Sequence, residues 1–223
     1  MNKLREAGFL RWKKQLDRDL SKIPSDRESL LKKAALCGFL AGDGSVQIRK
    51  EKSNYHHQLD FFPDDDLMLQ TYCSFIKELY GKDPKITRRD NVYNARLSQK
   101  FIVLDLLQLC DFGIYKWNFP NQLFKIKGAK ELWLRAFFSA EAYVNDKVIK
   151  TQSVNIVSIK RVLQLLSDLD IKGNYYEYTP KNKNHSKVGM IFINDKKARI
   201  TYYHKVGFWH SKKERLLKEA LGL

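Results

Sequence analysis

The sequence predicts an α+β protein built from two pseudo-symmetric αββαββα halves, each containing a four-stranded antiparallel sheet. Segments with helical and strand periodicity follow the same order twice along the chain of 223 residues. The repeat has a period of roughly 98 residues, and no low-complexity segment or flexible linker separates the two copies. We therefore expect an N-terminal amphipathic helical extension over residues 1–24, a first half over 25–120 and a second half over 121–223.

Apolar residues at helical spacing, namely Phe9, Trp12, Leu16 and Leu20, predict that the N-terminal extension is an amphipathic helix ending before Pro24. The predicted elements of the first half are a helix over 29–42 capped at Ser25-Asp26, strands over 45–48 and 58–62, a helix from Pro63 to Gly81, a hairpin over 85–99 that turns at Asp90-Asn91, and a helix over 101–109.

The same order begins again at Gly128. The predicted elements of the second half are a helix over 129–140, strands over 143–149 and 152–156, a helix over 159–169, strands over 174–179 and 188–193, a helix from the cap Asp195 to Tyr203, and a last helix over 212–221 capped by Ser211.

The composition favours a polyanionic partner inside the cell. Lys and Arg number 41 against 25 acids, which gives a net charge of +16, a property that nucleic-acid-binding, ribosomal and membrane-surface proteins share. The longest apolar runs are too short and too interrupted by charges to span a bilayer, and residues 1–20 lack the apolar stretch of a secretory signal. Three separated cysteines predict neither a disulfide framework nor a structural zinc site.

The first helix of each half ends in a similar motif. Residues 36–44 read LCGFLAGDG and residues 134–142 read LRAFFSAEA. Small residues recur four apart in each motif, at Gly38 and Gly42 and at Ala136 and Ala140, so that each helix carries a smooth stripe on one face. Such stripes allow two helix backbones to approach closely. We expect the helices to lie side by side with their C-terminal ends together.

This packing would place Asp43 beside Glu141 at two helix C-termini, where the helix dipole disfavours an anion by about 0.3–1 kcal/mol and the two carboxylates repel each other. A divalent metal ion would relieve both effects, because hard cations prefer oxygen ligands. We therefore predict a metal site formed by Asp43 and Glu141 together with the preceding Gly42 and Ala140. The alternative is that each acid is a solvated residue in a helix-ending turn.

Residues 38–45, GFLAGDGS, resemble the LAGLIDADG motif of homing endonucleases, and 134–142 resemble a second copy in which Ala136 and Ala142 replace the usual glycines. The resemblance covers residues 28–220. It implies a monomer whose two sheets form a DNA-binding saddle, and Asp43 and Glu141 as ligands of Mg²⁺, with Mn²⁺ as the alternative ion. It further implies cleavage of one phosphodiester per strand across the minor groove of a long asymmetric duplex target.

The resemblance extends to basic residues near the site. The segment 112–116, FGIYK, is similar to the region where family members carry an active-site lysine, which implies Lys116 and Lys212 as a catalytic pair, with Lys213 as the alternative to Lys212. Their implied role is to stabilise charge on the phosphate or to orient water. One corner departs from the family, because residues 62–66 read FPDDD where Gln or Lys is common. We expect these acids to cap the following helix.

Alternate strand residues should form a common outer surface that contacts DNA, since the other face of each sheet packs on the helices. Arg and Gln can read base edges in the major groove, whereas Lys mostly contacts phosphates. The predicted DNA-binding residues are Gln47, Arg49, Lys50, Lys52, Lys85, Arg88, Arg89 and Arg96 in the first half, and Lys147, Lys150, Gln152, Lys181 and Lys183 in the second, with Tyr176, Tyr178 and Lys187 beside them.

Other functions remain open at this stage. An impaired member of the family could act as an RNA maturase that assists intron splicing or as a DNA-binding regulator, and a basic RNA-binding protein of unrelated fold would require the repeat to be accidental. Inteins carry a terminal nucleophile and a terminal His-Asn pair, neither of which stands at Met1 or at Leu221-Gly222-Leu223, so we expect an intron-encoded or independent protein.

Overall fold

The computed structural model describes residues 3–51, 54–180 and 186–223. An N-terminal helix, α1 (Lys3–Ser21), precedes the first half, which contains α2 (Arg27–Asp43), β1 (Gly44–Glu51), β2 (Asn54–Phe61), α3 (Asp66–Tyr80), β3 (Lys85–Arg89), β4 (Val92–Leu97) and α4 (Lys100–Leu107). After a 3₁₀ turn at Leu123–Lys125, the second half contains α5 (Ala129–Glu141), β5 (Tyr143–Val144), β6 (Ile149–Ser153), α6 (Ile156–Ser167), β7 (Asn174–Tyr178), β8 (Val188–Ile193), α7 (Lys196–Lys205) and α8 (Ser211–Leu221).

The two halves have the same sheet topology. The first sheet has the strand order β1-β2-β4-β3 and the second sheet has the order β5-β6-β8-β7, and every strand pair in both is antiparallel. This agrees with the predicted α+β class and with the predicted repeat. Of the residues predicted to form the apolar face of α1, Leu16 and Leu20 are partly buried, and the side chains of Phe9 and Trp12 lie outside the described part of the chain. None of the described helices combines the length and the apolar character needed to cross a bilayer.

The predicted strands 143–149 and 152–156 are present as β5 and β6, but their bounds are wrong, because Asn145 ends β5 early, β6 begins already at Ile149 and Asn155 begins α6. The side-chain oxygen of Asn145 accepts hydrogen bonds from the backbone N–H of Lys147 and of Val148, both at 2.9 Å, so the chain turns within the segment expected to be extended. The side-chain oxygen of Asn155 accepts from Ser158 N at 3.2 Å and begins α6. Short polar side chains compete in this way with strand pairing.

The predicted helix caps at Asp26 and Asp195 are present, and the one at Ser211 is replaced. Asp26 accepts from Ser29 N at 3.1 Å and Asp195 from Ala198 N at 2.8 Å, as expected. Ser211, in contrast, is not the cap of α8. Its hydroxyl and its backbone N–H both donate to Asp65 of the first half, and the preceding His210 caps the helix through its Nδ1 atom.

Helices α2 and α5 lie against each other at the centre of the molecule, as the stripes of small residues predicted. A Cβ atom added at Gly38 would lie 2.3 Å from the backbone oxygen of Trp133, and one added at Gly42 would lie 2.6 Å from the Cβ of Ala140. Such distances are shorter than any real contact. The two backbones can therefore approach this closely only because both positions lack a side chain.

Replacing Gly42 with Ala should separate the two helices and lower the free energy of unfolding by about 1–3 kcal/mol, as overpacking does elsewhere. Replacing Ala140 with Gly should cost about 1 kcal/mol of helix propensity alone, but it removes the atom that the new methyl group meets. We therefore expect the double variant to be at least ~0.5 kcal/mol more stable than the sum of the single changes predicts, measured by urea unfolding. Strict additivity would contradict the close approach.

Candidate active site

The side-by-side packing of α2 and α5 brings Asp43 and Glu141 together at the C-terminal ends of the two helices. A Cβ atom at Gly42, the residue before Asp43, would lie 3.3 Å from Cγ of Glu141. Both carboxylates are partly buried. The duplicated motif thus delivers one acid from each half to a single place, as the sequence predicted.

Both carboxyl groups are held above their ordinary pKa. The pKa of Asp43 is raised from 3.8 to about 6, mainly by burial, with the charge of Lys213 opposing the shift and that of Asp64 adding to it. The pKa of Glu141 is raised from 4.5 to about 7. Burial is the largest cause, and the negative charge of Asp43 is the second. Two desolvated carboxylates that repel each other are stabilised in their charged form by a cation placed between them.

One such cation is supplied by the protein. Lys213, in the first turn of α8, donates from Nζ to the backbone oxygens of Ser139 at 2.6 Å and of Ala140 at 2.8 Å. Burial lowers the pKa of this lysine, while the charges of Asp64, Asp43 and Glu141 oppose the change. Lys212, the predicted catalytic residue, is instead exposed, because successive helical residues point about 100° apart. The structure therefore places the alternative, Lys213, beside the acids.

The candidate lysine of the first half lies at the surface, where its Cε atom would be 3.6 Å from a Cβ atom added at Gly113, a residue that lines the cavity beside Glu141. Lys116 is exposed, although its neighbours Ile114 and Trp117 line a cavity of about 270 Å³ together with Gly42 and Glu141. The two halves are therefore unequal around the acid pair. The second half contributes a partly buried ammonium group, whereas the first half contributes an apolar wall.

The acidic residues 64–66 at the start of α3 were predicted only to cap that helix. This acidic corner also contacts the second half. One oxygen of Asp65 accepts from the backbone N–H groups of Leu67 and Met68 at 3.0 and 3.2 Å, which is the expected cap. Its other oxygen accepts from the N–H and hydroxyl of Ser211 at the start of α8. Asp65 thus joins the first turns of two helices from different halves.

Asp64 extends this contact through His210. The Nε2 atom of His210 lies 3.4 Å from Oδ1 of Asp64, and its Nδ1 atom lies 3.4 Å from Oδ2 of Asp65. The hydrogen bond with His210 lowers the pKa of Asp64, which keeps a negative charge near Lys213. No sequence pattern pointed to this cluster, since its members lie about 146 residues apart. It fixes the first turn of α8 and hence the position of Lys213.

The ligands available for a metal ion are few. Within residues 3–51, 54–180 and 186–223 no three His, Cys, Asp or Glu side chains are grouped as metal ligands. The set at the helix ends consists of two carboxylates and nearby backbone oxygens, which suits a hard divalent ion that keeps water or phosphate oxygens as its other ligands. Among the predicted metal ligands, the backbone oxygen of Ala140 already accepts a hydrogen bond from Lys213.

Comparison of the sequence with known proteins gives a distant match. No family model matches the chain. A DNA polymerase of Thermococcus kodakarensis is 24% identical over 187 residues, and this match covers 80% of the chain but only 10% of that protein, so the chain spans about a tenth of its length.

Solved structures match over most of the chain. A structure of variants of the homing endonuclease I-DmoI superposes with a TM-score of 0.64 at 15% identity and covers 80% of this chain and 91% of that one. The I-LtrWI LAGLIDADG homing endonuclease bound to target DNA superposes with a TM-score of 0.57 at 14% identity, covering 88% and 91%. The chain has the LAGLIDADG homing-endonuclease fold. The fold that the two motifs predicted is therefore confirmed.

In this fold the strand register separates the predicted DNA-binding residues of the first sheet into two groups. Lys50 and Arg88 are exposed, but they share the helix-side face with Ile48 and Ile86 and so do not belong to the common outer surface that was predicted. Arg96 does lie on the outer face, where its Nε atom donates to Asp60 at 2.6 Å. The predicted residues on this outer face are Gln47, Arg49, Lys85, Arg89 and Arg96.

The second sheet offers fewer charges on its outer face. Lys150 and Gln152 lie there, whereas Lys147 lies in the turn between β5 and β6. Lys52, Lys181 and Lys183, which the sequence analysis also assigned to DNA binding, lie outside the described residues. The structure thus places a polar, mostly basic group of predicted contacts on the first sheet and a smaller group on the second.

The raised pKa values predict how stability depends on pH. At Asp43 and Glu141 the folded protein holds more protons than the unfolded chain between roughly pH 4 and pH 7, so the contribution of these two groups to the free energy of unfolding falls as the pH rises through that window. Without divalent ions, Glu141→Gln should therefore be more stable than wild type by roughly 1–2 kcal/mol at about pH 8, with no difference near pH 4. Urea unfolding across this range measures the effect.

Glu219→Gln, at an exposed position of α8, is the matched control. A Glu141→Gln protein that is less stable than wild type at the higher pH would contradict the raised pKa of Glu141.

Proposed function

We propose that this chain is a site-specific, divalent-metal-dependent DNA endonuclease that hydrolyses one phosphodiester per strand across the minor groove of a long asymmetric duplex. The observation that carries the proposal is the pairing of Asp43 with Glu141 at the junction of the two halves. Each half contributes one carboxylate, and a duplex has two strands. The two acids at the junction of the halves therefore match the two phosphodiester bonds to be cut.

The structural relatives support the same function. Structures of I-DmoI hold DNA with Mn, with Ca, and, for a variant, with Mg, and I-WcaI is bound to its DNA recognition sequence. A net charge of +16 favours a polyanionic substrate over a neutral one. Since one chain supplies both acids, a monomer would suffice for cleavage of both strands.

Each group of the site has a defined task under this proposal. The carboxylates of Asp43 and Glu141, with the backbone oxygens of Gly42 and Ala140, would hold Mg²⁺, with Mn²⁺ as the alternative ion. The ion supplies Lewis-acid stabilisation of the negative charge that develops on the scissile phosphate. Lys213 keeps a positive charge beside both acids, and its bonds to the end of α5 fix that charge in place. The buried surroundings strengthen these electrostatic effects by limiting access of water.

A second function is favoured by one observation. The backbone oxygen of Ala140 accepts from Lys213, so this lysine competes with a metal ion for a predicted ligand. If Lys213 keeps this backbone oxygen and no metal ion binds, the chain would bind nucleic acid without cutting it. It would then act as a DNA-binding regulator or as an RNA maturase that binds intron RNA. Binding and cleavage therefore have to be measured separately.

The decisive experiment challenges a randomised duplex library with wild type, Asp43→Asn and Glu141→Gln in the presence of Mg²⁺. We expect wild type to cut a specific sequence on both strands, and each variant to bind that sequence while cutting it ~100-fold more slowly or not at all. Equal cutting by wild type and both variants would refute the site. Binding without cutting by all three proteins would favour the regulator, and tighter binding to folded intron RNA would favour the maturase.

The adjacent lysines of α8 offer a matched pair for the same assay. Lys213→Met should slow cleavage by roughly 10²–10³-fold, because it removes a fixed positive charge from the site, whereas Lys212→Met changes an exposed neighbour and should leave the rate within about threefold. Both substitutions remove one charge from the same helix turn, so a general electrostatic effect on DNA binding would slow them equally. That result would contradict a special role for Lys213.

A further inference from the structure

The outer faces of the two sheets differ in chemistry. Among the described strand positions of the first sheet, Val92 is the apolar residue of an outer face that is otherwise polar or charged. The outer face of the second sheet is mostly aromatic and aliphatic. Its described members are Tyr143, Lys150, Gln152, Asn174, Tyr176, Tyr178, Val188, Met190 and Phe192.

This second-sheet face is open to solvent instead of packing into the core. Tyr143, Tyr176 and Tyr178 are 60%, 57% and 54% exposed. Two of its rings contact each other, and one of these also contacts Lys150. The ring centroids of Tyr176 and Phe192 are 5.5 Å apart, and the Nζ atom of Lys150 lies 5.6 Å from the centre of the Phe192 ring. Exposed apolar surface of this extent indicates an interaction surface.

The same face leads directly to the acid pair. Gln152 near the end of β6 and Val188 at the start of β8 line the cavity that also contains Gly42 and Glu141. A polymer that places a phosphate at Glu141 therefore lies next to the aromatic face. Lys150 is the charged residue among the described members of the face, and two further lysines stand at its margins, Lys147 in the β5–β6 turn and Lys187 beside β8. This arrangement suits phosphate contacts at the rim and apolar contacts at the centre.

We propose that the outer face of the second sheet recognises a thymine-rich half-site through apolar contacts with the C5-methyl groups of thymine. In the major groove the thymine methyl is the apolar group that a base pair presents, and it is read by apolar side chains. The first sheet, with Gln47, Arg49 and Arg89 on its outer face, instead reads its half-site through hydrogen bonds to base edges. The inference rests on the proposed binding of duplex DNA, but not on cleavage.

Substitution of deoxyuridine for thymidine provides a direct test, because it removes the C5-methyl group and leaves base pairing intact. A duplex bound by wild type is first selected from a randomised library without Mg²⁺, and the dissociation constant is then measured with deoxyuridine in one half-site at a time. We expect roughly fourfold weaker binding for each contacted methyl group in one half-site and less than about twofold in the other.

The variant Met190→Gln tests whether the second sheet is the one that contacts the thymine methyl groups. Met190 lies at the centre of the second-sheet face, where it pairs with Gln152 and with Tyr176, and Gln has nearly the same length but is polar. We expect this variant, with thermal unfolding like that of wild type, to show a preference for the thymidine duplex over the deoxyuridine duplex that is about fourfold smaller than in wild type. Gln47→Met, the reciprocal change on the first sheet, should retain the preference for thymidine.

Each outcome decides the matter. A selected sequence without thymine in either half-site, an effect of deoxyuridine below twofold in both, or a thymidine preference that Met190→Gln leaves unchanged would overturn the inference while leaving the proposed binding of DNA intact. If Met190→Gln instead abolishes self-association of the chain without affecting the DNA preference, the face is a protein contact and the inference fails. The absence of any sequence-specific duplex would overturn both the inference and the proposed function.

Discussion

The close contact between α2 and α5 is the constraint on which the rest of the structure depends. Gly38 and Gly42 leave no room for a side chain, so the helix axes approach until backbone and Cβ atoms touch. This contact places the two sheets on a common body and brings Asp43 to Glu141. The cost is electrostatic, because two carboxylates meet where two helix dipoles also disfavour negative charge, and burial raises both of their pKa values. A cation at this point offsets that cost.

The two halves place different groups around the acids, although their folds are the same. The second half contributes Lys213 from the first turn of α8, and that turn is fixed by Asp65 and His210, which join it to the first half. The corresponding region of the first half presents an apolar cavity wall, and Lys116 beside it is exposed. The outer faces of the sheets differ in the same way, one being polar and basic and the other aromatic. An asymmetric body of this kind suits an asymmetric ligand.

Features carried by local patterns could be predicted from the sequence, and features that depend on distant contacts could not. The repeat, the stripes of small residues and the acids that follow them gave the fold and the acid pair, because all three are encoded within short segments. The sequence could not place Lys213 rather than Lys212 beside the acids, since a shift of one residue in a helix start decides which side chain faces inward. Asn145 cut a strand short through bonds to its own backbone neighbours, which strand periodicity does not reveal.

The central claim is that both helix ends contribute to one divalent-ion site. Electron paramagnetic resonance of Mn²⁺ titrated into the protein–DNA complex measures that site directly, independently of cleavage. The account predicts that Asp43→Asn and Glu141→Gln each weaken Mn²⁺ binding by at least ~10-fold, as loss of one ligand commonly does, while Glu219→Gln has no effect. Mn²⁺ affinity that falls with only one of the two acids, or with neither, would contradict it.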